Sequence, residues 1–277
     1  MKNVKIVADS AANTIALDTL PFAFAPMKIS TADREFVDDA ALDVAELVDF
    51  FDRCKDRSHT ACPSPADWLE AFGDADEIFC VTITSGLSGS YNAACAAKQM
   101  YEADHPGARV CVLDTLSAGP EMTLIVEKLE ELISSGLDFD AVETAIREYM
   151  GKTGLFFQLE SLKNFAANGR VSPAVAKLTG LLGIRIVGRA SAKGTLEPLR
   201  KCRGQAHSFD GLCKLLSDAG ARGKILIAHC RNEAGAEELK AAVEASLPQV
   251  SVRIAPCRGL CSYYAEIGGL LVGYEKN

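Results

Sequence analysis

The segment SGLSGS, residues 85–90, combines residue types that commonly bind an anion. A strand-like run, EIFCVTIT, precedes it and a helix-like run, SYNAACAAKQ, follows it. Glycines let a backbone approach a ligand closely, and the first amides of a helix have no partner within that helix. Because the helix dipole also favours negative charge at this end, the segment predicts a site for a carboxylate or a phosphate, with Ser88 as a hydroxyl donor.

The same segment permits a second interpretation, in which Ser88 is a nucleophile. Residues 86–90 begin like the Gly-x-Ser-x-Gly turn of serine hydrolases, but Ser90 stands where a glycine assists the tight turn. His229 ends a predicted strand and would complete a Ser-Asp-His order. An acyl hydrolase or transferase that uses Ser88 is therefore the alternative. A nucleotide site ranks below both, since no Gly-x-x-x-x-Gly-Lys-Ser/Thr loop is present.

Other polar residues also follow predicted strands. Asp9 and Ser10 come after VKIVA, and Asp114 comes after ARVCVL. Ligands of open parallel sheets gather beyond the carboxyl ends of the strands, so we expect Asp9, residues 85–90 and Asp114 to share one rim. Each aspartate is equally suited to cap the helix that follows it.

Two further segments could contribute to a ligand site. In SHTACPSPADW, residues 58–68, the prolines stiffen a backbone that would offer Thr60 and neighbouring amides to a ligand. In NGRVSP, residues 168–173, Arg170 follows a glycine turn. It is either a solvated charge or the partner of an anionic group.

The composition describes a globular protein with an acidic surface. The 277 residues are 48% hydrophobic and 24% charged, with a formal net charge of −8, which makes nucleic acid an unfavourable partner. The ten cysteines include no CxxC pair, and Cys257 and Cys261 have no neighbouring zinc ligands, so no metal site is predicted. We expect a reduced cytoplasmic protein, and MKNVKIVADS is predicted as a strand rather than a signal peptide.

The order of elements predicts an α/β fold. Strand-like and helix-like runs alternate in the first half, which indicates parallel βαβ units, and FAFAPMKIS is interpreted as one strand. In the second half, residues 184–204 predict a β-hairpin around Lys193-Gly194, and the following strands and helices predict a second α/β unit. The expected architecture is an N-terminal parallel-sheet domain, 1–152, and a C-terminal α/β domain, 153–277.

Seven segments together resemble the DegV family, which includes fatty-acid-binding subunits of bacterial fatty acid kinase. VADSAAN is similar to its opening Asp-Ser-Thr-x-Asp motif, TACPSP to its Thr-Ser-Gln-Pro-Ser signature, and TSGLSGSYNAA to its Ser-Ser-x-Leu-Ser-Gly-Thr-Tyr segment. DTLSAG, LESLKNFAANGRVSPA, GTLEPLRKCRG and AHCRNEAGAEEL follow in family order. The likeness runs from about Lys5 to Tyr274.

The resemblance implies a two-domain fold that buries a long-chain fatty acid, which a separate ATP-dependent kinase phosphorylates. The carrier itself does no chemistry and needs no cofactor, and transient contact with a membrane surface is compatible with such a role. In the family the threonine and serine of these motifs hold the lipid carboxylate, and the motif arginine lies near it or near the partner surface. The ligand-binding residues predicted here are Thr60, Ala61, Ser88, Gly89, Arg170 and Tyr264.

Tyr264 marks a departure from the family pattern. Members commonly carry His-x-Gly-Pro-Gly before the last strand, whereas this chain has Tyr264 in place of the histidine and Glu266-Ile267-Gly268 in place of Gly-Pro-Gly. A tyrosine hydroxyl can donate to a carboxylate, but an ionised Glu266 nearby would repel it.

An acyl chain would also need an apolar tunnel. GLFFQLESL, residues 154–162, and LTGLLGI, residues 178–184, are the segments that could line it, and both are equally compatible with ordinary core.

Overall fold

The computed structural model describes residues 2–176 and 183–277. The strands are β1 Val4–Asp9, β2 Phe22–Ala25, β3 Lys28–Ser30, β4 Glu35–Val37, β5 His59–Ala61, β6 Glu77–Thr82, β7 Arg109–Asp114, β8 Thr153–Leu159, β9 Ile184–Ala190, β10 Leu196–Arg203, β11 Ala221–His229, β12 Val250–Pro256 and β13 Leu270–Lys276. The helices are α1 Val44–Arg53, α2 Pro65–Phe72, α3 Ser90–Asp104, α4 Pro120–Ser134, α5 Phe139–Met150, α6 Lys163–Ala167, α7 Pro173–Ala176, α8 Gln205–Asp218, α9 Glu233–Ser246 and α10 Gly259–Ala265.

The first half contains a four-stranded parallel sheet in the order β2-β1-β6-β7. Every residue of β6 is buried, as expected of a central strand covered by helices on both faces. The prediction of parallel βαβ units is confirmed. Ser64 caps α2 and Pro65 occupies its first turn, so the Ser-Pro pair begins a helix as its chemistry favours.

FAFAPMKIS is not one strand, and that prediction is wrong. The chain leaves the parallel sheet after Ala25 and re-enters β structure at Lys28 in a separate three-stranded sheet, β4-β3-β5. Pro26, which has no amide to donate, stands between the two strands. The small sheet carries Thr60 on β5, so this break helps to position a predicted ligand residue.

The second half forms a six-stranded mixed sheet in the order β10-β9-β8-β13-β11-β12. β9 and β10 pair as the predicted hairpin, with a turn that contains Lys193 and Gly194. The last strand in sequence, β13, lies between β8 and β11 and is antiparallel to both. The second half is therefore an α/β unit, with a strand order that local sequence does not reveal.

Helix α4 lies between the two large sheets and contacts strands of both, including β6 and β13. One hydrophobic cluster is continuous across this region and joins Phe79 and Val81 of the parallel sheet to Phe157 and Leu159 of the mixed sheet. Within the part of the chain described, no helix is both long enough and apolar enough to cross a membrane.

Candidate functional site

A cavity of about 320 Å³ lies where the small sheet, the α3 N-terminus and the mixed sheet meet. Its inner wall is mainly apolar and includes Ile83, Leu155, Phe157, Leu159, Leu260 and Leu271. Its more exposed end, here called the polar mouth, consists of the six predicted ligand residues Thr60, Ala61, Ser88, Gly89, Arg170 and Tyr264. The structure thus brings all six to a single cavity.

Strand β8 shows how the inner wall is built. Leu155, Phe157 and Leu159 line the cavity, while the side chain of Gln158 accepts a hydrogen bond from Ser208 of α8. This alternation follows from the two-residue period of a strand. Three residues of the segment 154–162 thus line a cavity, Phe157 and Leu159 also belong to the hydrophobic core, and an acyl tunnel stays a prediction. Of the other predicted segment, residues 178–182 lie outside the described residues.

The loop before α3 fixes the Ser88 hydroxyl. The Ser88 amide donates to the Thr84 carbonyl at 3.2 Å, and Ser88 Oγ accepts a bond from the Ser90 amide at 3.2 Å. Ser88 therefore satisfies one of the first helical amides, and its own hydroxyl proton is left to donate elsewhere. Gly89 is the cap residue of α3, and a Cβ added to it would lie 3.2 Å from Cys62 Sγ.

Carboxylates at the ends of β1 and β7 hold this loop from below. Asp9 Oδ2 accepts from the Ile83 amide at 2.8 Å and from Ser90 Oγ at 2.7 Å. Asp114 Oδ1 accepts from the Ser85 amide at 3.1 Å. The prediction that these groups share one rim is confirmed, and both aspartates act there as hydrogen-bond acceptors for backbone amides.

Thr60 is held in place by residues from the other half of the chain. Its amide donates to Asn168 Oδ1 at 3.1 Å, and its hydroxyl lies 2.8 Å from the hydroxyl of Tyr264. Asn168 in turn donates to the hydroxyl of Tyr263 at 2.9 Å. The mouth is therefore assembled from β5, α10 and the turn after α6.

Arg170 supplies positive charge to the mouth. Its Nε donates to the Leu87 carbonyl at 3.0 Å and its Nη1 to the Asn168 carbonyl at 2.5 Å. Among residues 2–176 and 183–277, no carboxylate lies within ion-pair distance of this guanidinium. An anion in the cavity would thus meet a positioned cation whose own bonds are to neutral carbonyl groups.

Tyr264 and Glu266, which depart from the family pattern, point in different directions. The Tyr264 ring packs against Phe165 at the mouth, and burial raises the pKa of its hydroxyl, so it stays a neutral donor. Glu266 Oε1 instead accepts from Ser161 Oγ at 2.8 Å and from the Asn164 amide at 3.3 Å. Glu266 does not line the cavity, and burial raises the pKa of its carboxyl. The repulsion between Glu266 and a ligand carboxylate that the sequence suggested is therefore not expected from this position.

Three features that help to form the site were not identified from the sequence. Asn168 and Tyr263 stabilise Thr60 without lining the cavity, and only their proximity to motif residues could have suggested a role. The third is the turn of the β9–β10 hairpin, which closes over the cavity where Thr84 Oγ1 donates to the Gly194 carbonyl at 2.9 Å. Gly194 has a φ of +69°, a value that a glycine adopts readily.

The nucleophile interpretation gains no support from this geometry. His229 ends β11 in the mixed sheet, where its Nδ1 accepts from the Asn232 amide at 3.3 Å. Within the described ranges no histidine lines the cavity, and the same ranges contain no cluster of three or more His, Cys, Asp or Glu side chains suited to a metal ion. The arrangement can bind an anion through several donors, with an apolar chamber behind them.

Comparison with known proteins identifies relatives over nearly the whole chain. A DegV domain-containing protein of Streptococcus pneumoniae is 46% identical, in an alignment that covers 98% of each chain. Among solved structures, the Streptococcus pneumoniae fatty acid kinase (Fak) B3 protein loaded with linoleic acid has a TM-score of 0.96 and 45% identity. A DegV family protein from Eubacterium eligens loaded with heptadecanoic acid has a TM-score of 0.95 and 44% identity. Each alignment covers 99% of this chain and 100% of the other.

The family assignment follows from the sequence itself. A family model, described as uncharacterised protein, DegV family, matches residues 3–277. This match spans both large sheets, the small sheet and every residue of the polar mouth. The chain therefore belongs to the DegV family.

Proposed function

We propose that this protein binds a long-chain fatty acid, with the acyl chain in the cavity and the carboxylate at the polar mouth. The observation that carries the proposal is the arrangement of the cavity, an apolar chamber whose exposed end gathers hydroxyl, amide and guanidinium donors. An acyl tail favours such a chamber because apolar surface leaves water, and a carboxylate needs hydrogen-bond partners when it is partly desolvated.

Each residue of the mouth has a proposed role. The hydroxyls of Ser88 and Thr60 donate to the carboxylate oxygens, and the Gly89 amide at the positive end of α3 adds a third donor. Ala61 contributes backbone beside Thr60. The Tyr264 hydroxyl bonds the Thr60 hydroxyl and is a further donor for the carboxylate. Arg170 provides the positive charge that balances the carboxylate.

The comparisons support the ligand class. Two proteins that share 44% and 45% identity with this chain over nearly its whole length are loaded with heptadecanoic acid and linoleic acid. One of them is a fatty acid kinase B3 protein, which supports a role as a non-catalytic carrier that presents its fatty acid to a separate kinase for acyl-phosphate formation. No cofactor is part of the proposal.

We infer the wider setting from the same role. The carrier acts in the cytoplasm and exchanges its ligand through transient contact with a membrane surface, while nucleic acid is no partner for a chain of net charge −8. The two functional units are residues 1–152, which carry the Thr60 and Ser88 loops, and residues 153–277, which carry Arg170 and Tyr264.

Native mass spectrometry of the purified protein tests the proposal. We expect a bound mass that corresponds to one fatty acid, its loss on extraction with organic solvent, and its return when linoleic acid or heptadecanoic acid is added. Protein that is purified free of lipid and takes up neither acid would contradict the proposal. A serine-reactive phosphonate distinguishes a carrier from an acyl hydrolase, because the hydrolase would be labelled at Ser88 and the carrier would not.

A further inference from the structure

Asp9 is a buried carboxylate directly beneath the polar mouth. Its side chain has no exposed surface, and it accepts three hydrogen bonds from different parts of the rim. Oδ1 accepts from the Ala11 amide at 3.2 Å, while Oδ2 accepts from the Ile83 amide and the Ser90 hydroxyl. The residue thus ties the end of β1 to the loop after β6 and to the first turn of α3.

Ser90 connects Asp9 to the proposed ligand contact. Its hydroxyl donates to Asp9 Oδ2 at 2.7 Å, and its amide donates to Ser88 Oγ at 3.2 Å. With one lone pair of Ser88 Oγ engaged by this amide, the directions open to the Ser88 hydroxyl proton are restricted. The orientation of the ligand-facing hydroxyl therefore depends on the residue that Asp9 holds.

We propose that Asp9 is a positioning residue for the ligand carboxylate, and that ligand binding is coupled to protonation of Asp9 because both carboxylates use the N-terminus of α3. The inference rests on the proposed function. In this proposal Asp9, a buried acid that does not line the cavity, controls the affinity of the polar mouth for the fatty-acid carboxylate.

The physical basis is competition between two negative charges for one helix end. The first turn of α3 favours negative charge, but two ionised carboxylates linked through Ser90 and Ser88 repel each other. A ligand carboxylate at Ser88 therefore raises the proton affinity of Asp9. Oδ1, which has one donor, leaves room for the proton that is taken up.

The surroundings of Asp9 make this titration accessible near neutral pH. Burial raises its pKa to about 7, and its hydrogen bonds to Ser90, Ile83 and Ala11 oppose that rise. The Asp38 carboxylate adds to the increase in the pKa of Asp9, and the positive charge of Arg258 acts on Asp38, where it opposes the rise in pKa that burial causes. The other ionisable groups that interact with Asp9 are the thiols of Cys80 on β6 and Cys261 on α10, whose own pKa values burial raises, so they stay neutral.

The sign of the coupling follows directly. Below its pKa Asp9 is neutral and does not oppose the ligand, whereas above its pKa the ionised Asp9 weakens binding. Affinity should therefore fall as pH rises through about 7, and ligand binding should take up a fraction of a proton there.

The test is the dissociation constant of linoleic acid, at submicellar concentration, from about pH 6 to about pH 8.5, where a simple carboxylic acid stays ionised. We expect the wild-type constant to rise by at least about threefold over this range, with proton uptake measured by calorimetry in two buffers of different ionisation enthalpy. Asp9→Asn should abolish the pH dependence. Asp114→Asn, which removes the neighbouring rim carboxylate that holds Ser85, should keep the wild-type profile.

A flat wild-type profile without proton uptake, or an Asp9→Asn profile equal to that of wild type, would overturn the proposal. If Asp9→Asn does not fold, Ser90→Ala replaces it. This variant removes the hydroxyl that bonds Asp9 and keeps the amide that bonds Ser88 Oγ, so it should at least halve the fold change in affinity. An unchanged profile in Ser90→Ala would equally overturn the proposal. Protein that binds linoleic acid at no pH contradicts the proposed function instead, so the two failures are distinguishable.

Discussion

The hydroxyl oxygens of Thr60 and Tyr264 lie 2.8 Å apart, although 204 residues separate them in the chain. Thr60 stands on the small sheet of the first half, and Tyr264 stands on the helix before the last strand. Since the mouth includes this pair, the proposed carboxylate site needs contact between the two halves of the chain. Ligand affinity should therefore respond to changes on either side of the contact.

Removal of the Tyr264 hydroxyl should weaken fatty-acid binding. In Tyr264→Phe, Thr60 loses its hydroxyl partner and the ligand loses a neutral donor, which at about 1–2 kcal/mol corresponds to a roughly five- to thirtyfold rise in the dissociation constant. Titration with linoleic acid measures the effect. Tyr264→His should retain more affinity than the phenylalanine variant.

Tyr263→Phe is the matched control for that prediction. The Tyr263 hydroxyl bonds Ser58 at 2.6 Å and Asn168, and it does not line the cavity. Loss of the Tyr263 hydroxyl should lower the free energy of unfolding by more than it lowers the free energy of ligand binding. An effect on affinity as large as that of Tyr264→Phe would show that the Tyr264 hydroxyl has no special role.

Ser88→Ala and Thr60→Val should each reduce affinity for the carboxylate. A hydrogen bond to a charged group contributes about 1.5–3 kcal/mol, so each variant should raise the dissociation constant by roughly ten- to a hundredfold. Equilibrium binding of heptadecanoic acid gives the measurement. Ser85→Ala, in the same loop but outside the cavity lining, should bind as wild type does. A loss in Ser85→Ala equal to that in Ser88→Ala would indicate a general defect of this loop and not a lost ligand contact.

Cys62 should report occupancy of the mouth. Among the described residues it is the one exposed cysteine, and it lines the cavity beside Gly89. A bound fatty acid would shield the thiol from the reagent, so bound linoleic acid should slow alkylation of Cys62 several-fold. Peptide mass mapping measures the rate, with half-buried Cys95 and Cys213 as internal references. A rate at Cys62 that is independent of ligand would argue against a carboxylate at this mouth.

Gly194→Ala should loosen the hairpin that closes the cavity. An added Cβ would lie 1.8 Å from Thr84 Oγ1, at a positive φ of +69°. We expect a lower free energy of unfolding and weaker acyl binding, measured by urea denaturation and by titration. Gly136→Ala is the matched control, because its φ is +84° but its Cβ would meet nothing within 4 Å. Gly136→Ala should lower the free energy of unfolding by only roughly 1 kcal/mol, the cost of an alanine in left-handed backbone, and should bind with wild-type affinity.

The buried Asp9 should also impose a pH dependence on stability. Its pKa is raised from 3.8 to about 7 in the folded state, so the folded protein holds a proton that the unfolded chain releases. This contribution is fully present below about pH 4 and is lost as pH rises through about 7, with a total of roughly 4 kcal/mol. Urea denaturation of wild type and Asp9→Asn at several pH values measures it. The difference between their free energies of unfolding should change across this window, and a constant difference would contradict the assignment.

Local sequence was sufficient for the elements that carry Ser88. The buried run 77–82, the small residues of 85–90 and the helix from Ser90 follow from hydrophobic pattern and backbone chemistry, which act over a few residues. The rim of Asp9, Ser85 and Asp114 was predictable too, because parallel strands end at one edge. Local sequence offered Thr60 and Arg170 only as candidates, and the family resemblance was needed to select them as ligand residues, since neither segment has a distinctive local signal.

Tertiary structure alone decided how these parts meet. The split of FAFAPMKIS at Pro26, the insertion of β13 between β8 and β11, and the pairing of Thr60 with Tyr264 depend on contacts between distant segments. Glu266 shows the same limit, because its distance in sequence from Tyr264 did not reveal that its carboxylate turns to Ser161. By itself the sequence determined an α/β fold and a helix end whose chemistry is suited to an anion. The cavity and its mouth arose only when two separately patterned halves packed together, because packing energy belongs to pairs of surfaces and not to either segment.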